Sequence, residues 1–219
     1  MLSLGERSIC LFELLPKHLC SAEQYLDQAE QDFADGAFAP FWDSIESAAK
    51  RLGGFDEDIR KIKTNSSRYI ELITKYEDTP PQFPLEPQSI TKLSVGMSTS
   101  ERMKSIVRKA QRDFQFAVIY EQRKTNQILV AGFTNLAQAL SQMTDQIMTS
   151  IDNLAGSVDG MTSTLNESLR AIHTRMGDIG ESSNARHKIF MERSSEAAAR
   201  ERTALGMLDN IQRGRRPFL

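Results

Sequence analysis

Residues 41–76, FWDSIESAAKRLGGFDEDIRKIKTNSSRYIELITKY, decide the fold of this chain. Phe41, Ile45, Ala48, Leu52, Phe55, Ile59, Ile62, Ser66, Tyr69, Ile73 and Tyr76 follow one another in steps of four and three. That spacing lines one side of an α-helix and repeats every seven residues, the pattern of helices packed in coiled-coil fashion. Only Ser66 in the series is polar. Gly53 and Gly54 sit in the middle; each costs about 1 kcal/mol relative to alanine in a helix. They predict a bend or local break.

Upstream, Leu15, Leu19, Ala22, Leu26, Ala29 and Phe33 form a second stripe of the same kind within residues 8–34. Pro16 predicts a kink or a helix start, because proline suits the first turn. Between the two stripes lies Asp35-Gly36-Ala37-Phe38-Ala39-Pro40. Gly36 fits a helix C-terminal cap and Pro40 the first turn of the next helix. A connection this short predicts an antiparallel helical hairpin over residues 1–78.

Downstream, four prolines fall within residues 80–87. They exclude helix and favour extended chain, so residues 79–97 read as a Pro-rich linker outside the hairpin. Ser98 and Glu101 have capping-box spacing and predict the start of a third helix over 98–135. Met103, Val107, Ala110, Phe114, Val118, Leu129 and Phe133 share a wide apolar face. This helix is expected to close a three-helix bundle on the hairpin.

Residues 136–181 carry a narrower seam: Leu136, Leu140, Met143, Ile147, Ile151, Leu154, Val158, Met161, Leu165, Leu169, Ile172 and Met176. Leu136, Ile147, Val158 and Leu169 are 11 residues apart, a repeat that gives a straight or slightly right-handed coil. No aromatic residue joins the seam, and polar residues fill nearly every other position. It predicts a coiled-coil stalk that pairs with a second copy. Gly177 and Gly180 weaken its end. Residues 182–219 form a charged helical segment with a poorer stripe and a basic tail holding Arg213, Arg215 and Arg216.

The formal net charge of -2 conceals alternating blocks. Residues 1–78 hold 9 basic and 15 acidic side chains, and residues 98–133 hold 7 and 3. An acidic hairpin meeting a basic third helix follows from that complementarity. Cys10 and Cys20 have no metal spacing, the N-terminal residues have no signal-peptide pattern, and the longest apolar runs fall short of a membrane span. A cytoplasmic chain with reduced thiols is expected.

Catalytic signatures are scarce: there is no glycine-rich phosphate loop, no HExxH and no GxSxG. His18 and Cys20 with Glu13 could suggest a metal site, but His18 and Cys20 point to different helix faces. Phe38, Phe41 and Trp42 form either an aromatic docking spot for a partner or a plug for the bundle end. Arg102, Lys104, Arg108, Lys109, Arg112, Arg123 and Lys124 form a basic stripe, but an acidic hairpin is a nearer partner for it than nucleic acid. Arg213, Arg215 and Arg216 suit contact with phosphate or an acidic lipid surface.

The sequence therefore predicts an all-α chain: a helical hairpin closed into a three-helix bundle and continued by a long coiled-coil stalk. The expected role is a non-enzymatic scaffold, without cofactor or metal, that self-associates and holds partner proteins. A signal-relay subunit that passes conformational change along the stalk is an alternative. A small helical ligand binder or enzyme with a pocket in the bundle is another.

Overall fold

The computed structural model describes residues 2–75, 80–124, 136–175 and 183–214, with side chains placed for all of these except 2, 121–124, 136–138, 171–175 and 183–193. The described residues are overwhelmingly helical and include no strand. The elements are α1 (Leu2–Ala34), α2 (Phe38–Ile73), α3 (Pro87–Thr91), a 3-10 turn (Lys92–Ser94), α4 (Val95–Gln111), α5 (Phe114–Lys124), α6 (Leu136–Arg175) and α7 (Ser183–Gln212).

α1 and α2 form the expected hairpin, joined at a left-handed Gly36 with φ of 70°. The Gly36 N–H donates to the Phe33 carbonyl at 3.3 Å and the Ala37 N–H to the Asp32 carbonyl at 2.8 Å, the bond pair of a Schellman cap. α1 begins at Leu2, and Pro16 lies buried inside it. The predicted start at Ser8 or Pro16 is too late, because Ile9 and Phe12 extend the buried stripe toward the N-terminus. Their burial outweighs the local cost of the proline.

α2 runs unbroken through Gly53 and Gly54. A Cβ on Gly54 would come within 2.9 Å of the His18 ring. The glycine therefore admits the imidazole, whose Nε2 lies 3.1 Å from Asp58 Oδ2 and ties α1 to α2. Asp58 also takes the Lys61 ammonium at 3.1 Å.

The segment read as an external linker is partly inside. Leu85, Ile90, Leu93 and Val95 are buried, and the Tyr69 hydroxyl donates to the Pro81 carbonyl. Proline forbids helix only up to Pro87, where it takes the first helical position of α3. Helix thus resumes before Ser98, which lies within α4 and not at a capping box. α4 crosses α2 so closely that a Cβ on Gly96 would sit 2.4 Å from Phe55 Cε1.

The third helical segment is divided. α4 ends at Gln111, and Asp113 Oδ1 accepts the N–H groups of Gln115 at 3.0 Å and Phe116 at 3.4 Å, capping α5. This break turns Phe116 and Tyr120 onto the hairpin end. There the Trp42 indole donates to the Phe116 carbonyl at 3.1 Å, among the rings of Phe33, Phe38 and Phe41.

The complementarity of acidic hairpin and basic third helix concentrates at one residue. Arg102 on α4 binds Glu23, Asp27 at 2.9 Å and Glu30 at 2.6 Å on α1. Partial burial disfavours its charge, but the hydrogen bonds it donates to Asp27, Glu30 and Glu23 outweigh that and hold its pKa above the ordinary arginine value.

Two predictions follow from this packing. Ile59 and Ile62 are fully buried, so alanine at either should cost roughly 2–5 kcal/mol in denaturant unfolding. At the exposed Lys61, alanine should change stability by about 0–1 kcal/mol. Gly96→Ala should cost about 1–3 kcal/mol, because Phe55 is enclosed and its ring cannot step aside freely. A neutral Gly96→Ala in thermal unfolding would contradict the close crossing of α2 and α4.

Candidate functional site: the seam of the sixth helix

The apolar seam of α6 does not project as a stalk. Leu140, Ile147, Ile151, Leu154, Val158, Met161 and Leu165 are buried, and Met143 and Leu169 are partly buried, all in one core with the hairpin. α6 lies along α2 and also touches α3 and α4. The physical reason is length. α2 carries a stripe of 36 residues, whereas α4 spans 17 and turns away at Asp113, leaving the rest of α2 uncovered. α6 supplies that cover from within the same chain. The side chains of Leu136 and Ile172, and the whole of Met176, lie outside the described residues.

Direct hydroxyl contacts fix the register of the seam. Ser66, the one polar member of the α2 stripe, is fully buried, and its Oγ is 2.7 Å from Ser157 Oγ. Ser100 on α4 meets Thr144 on α6 at 2.7 Å. Each hydroxyl also bonds within its own helix or across the pair: Ser66 donates to the Lys63 carbonyl and Thr144 to that of Leu140. A hydroxyl pair between helices resists axial sliding more than an aliphatic contact does, because a one-residue slip loses the bond across the helices.

Beside the seam, α2 and α6 frame an open polar groove of about 620 Å³. Asp56, Arg60, Lys63 and Thr64 line one wall and Gln142, Asp145, Gln146, Thr149, Ser150 and Asn153 the other. Asp56 is buried. Its Oδ2 takes Arg60 at 2.8 Å, while its Oδ1 has no hydrogen-bond partner. The pairing of residues 56–66 with 142–157 means that α2 and α6 run in the same direction.

The other residues singled out from sequence are placed as follows. Phe41 and Trp42 are fully enclosed and Phe38 is half-buried, so this cluster plugs the bundle end and offers no open docking spot. Arg213 pairs with Asp209 at 2.7 Å, while Arg215 and Arg216 lie outside the described residues. Of the basic stripe, Arg102 and Lys104 are engaged with carboxylates, and Arg108, Lys109 and Arg112 are exposed. Cys10 is exposed and Cys20 buried, and the two form no disulfide. Among the described residues no group of three His, Cys, Asp or Glu side chains is placed to hold a metal ion. No described helix is long and apolar enough to cross a membrane.

Sequence reasoning missed the Asp56 groove and the Asp113 cap. Asp113 was legible as a cap: a short acidic residue followed by Phe-Gln-Phe has the composition of a helix start. Asp56 was not, because its neighbours on α6 are nearly ninety residues away. No protein-family model, curated protein sequence or solved structure matches the chain.

Proposed function

We propose that this chain is a non-enzymatic helical scaffold that self-associates and holds partner proteins through its α6 seam. One observation carries the reading. The seam closes by side-by-side packing of a plain apolar stripe on α2, with hydroxyl pairs in register. A second copy presents the same α2 surface, so α6 of one chain fits α2 of another with identical contacts. Closure within one chain and closure between two are then alternative uses of one interface. A partner protein with a matching stripe would enter by the same route. The expected setting is the cytoplasm, where Cys10 and Cys20 stay reduced.

A second reading, a small-ligand binder, is favoured by the Asp56 groove. An unpaired buried carboxylate oxygen beside amide and hydroxyl side chains suits a small donor molecule. Under this reading Asp56→Asn should abolish any ligand-induced rise in melting temperature.

The scaffold reading is tested with a cysteine pair. Ser66→Cys and Ser157→Cys, in a Cys10→Ser, Cys20→Ser background, place two sulfurs where the hydroxyl oxygens are 2.7 Å apart. Mild oxidation should give an internally cross-linked monomer at low protein concentration. At high concentration it should add a covalent dimer that non-reducing gels resolve. Sedimentation of the unmodified chain should show the same concentration-dependent dimer. Internal cross-links alone, with a monomer throughout sedimentation, would overturn self-association through this seam.

A further inference from the structure

The buried and partly buried positions of α7 follow the same four-three rhythm as the other helices. Ala197, Glu201, Ala204, Leu208 and Ile211 occupy the inward stripe. One member is a glutamate, and it is only 6% exposed. Its Oε1 accepts the Glu86 N–H at 3.3 Å, at the residue that precedes α3. The rest of the contact is thin. Among described side chains only Ala204 and Leu208 of α7 are buried apolar groups, against eight on α6. Two ion pairs at the edges are long and half-exposed: Arg200 with Glu13 at 3.9 Å and Lys92 with Asp209 at 3.8 Å.

We infer that α7 is a detachable helix whose docking onto α1 and the 86–92 segment is controlled by the protonation of Glu201. A core-facing position on the most weakly held long helix carries an ionisable group, where leucine would bind better. When α7 leaves, the carboxylate returns to water. When α7 docks, the carboxylate is desolvated against one backbone N–H, the Ser89 hydroxyl and a neighbouring like charge, Glu86. Burial raises the pKa of Glu201, and Glu86 acts in the same direction; the Ser89 hydroxyl and the Glu86 N–H act against it.

The sign follows from linkage. A carboxyl whose pKa is higher docked than undocked binds its proton more tightly in the docked state. Docking is therefore fully favoured below the ordinary carboxylate value and weakens as pH rises through the raised one. The edge pairs of Arg200 with Glu13 and Lys92 with Asp209 are exposed and contribute little. The device makes α7 a cover that loosens toward neutral pH and exposes the side of α1 beneath it. It is independent of the self-association reading, which concerns α6.

Hydrogen exchange of the full chain, followed by mass spectrometry on peptides from residues 194–212, tests the inference. Rates are corrected for the intrinsic pH dependence, with α2 peptides as the internal reference. Glu201→Gln keeps the hydrogen-bond acceptor and removes the charge. At neutral pH its α7 should exchange more slowly than wild type, by about tenfold for each unit by which the docked pKa is raised. Wild-type protection of α7 should rise on acidification toward that of Glu201→Gln, and the variant should show little such trend. Glu201→Ala, which removes the acceptor, should not match Glu201→Gln. Faster exchange in Glu201→Gln than in wild type would mean that the charged carboxylate holds the helix, and would overturn the inference. An unchanged pH trend in that variant would do the same.

Discussion

A single helix of 36 residues with apolar positions recurring along its whole length has to be covered along its whole length, and that requirement organises this molecule. α2 buries Phe41 and Trp42 at one end and Tyr69 and Ile73 at the other. α1 covers one flank. α4 covers part of another and leaves at Asp113. The remainder would stay exposed, at about 25 cal/mol for each Å² of apolar surface, unless another long helix is laid on it. α6 meets that demand, and its own stripe is buried in the same act. The unpaired faces of two helices that look independent in sequence are each other's complement.

Legibility from sequence divides along the same line. The long helices α1, α2, α6 and α7, the hairpin and the Gly36 cap were readable because each depends on neighbours within one or two turns, whereas α3 and the division of α4 from α5 were not. The identity of the seam residues was also readable: Leu140, Ile147, Leu154 and Val158 do face inward. What covers them was not. A stripe states that a face is buried and is silent on the partner, so intramolecular cover and a second copy give the same pattern. The absence of aromatic residues in α6 pointed to a stalk, yet aliphatic residues suffice because α1 and α2 already supply the bulky core. The glycines misled for a related reason. Of the pair read as a weak point, Gly54 lies where α1 comes too near for a Cβ, against the ring of His18.

The candidate site was half legible. Ser66 stood out as the one polar member of a perfect stripe, and the structure gives the reason in its contact with Ser157. The Trp42 cluster had two readings, and burial with a hydrogen bond to the Phe116 carbonyl selects the structural one. Neither the groove at Asp56 nor the contact of Glu201 with Glu86 leaves a local trace. Each joins positions more than eighty residues apart, and only the placement of α6 and α7 brings them together.

The two C-terminal helices differ in what they ask of the hairpin. α6 offers aliphatic side chains, and Ser157 and Thr144 on it meet the hydroxyls of Ser66 and Ser100. α7 offers two buried apolar side chains, a few partly buried ones and a carboxylate that loses water on docking. A fully satisfied interface is stable across conditions, whereas one with an ionisable group at its centre depends on the proton concentration. The chain thus joins a helix held by apolar and hydroxyl contacts to one held partly through a carboxylate, and the sensitivity is confined to a segment that packs chiefly on α1.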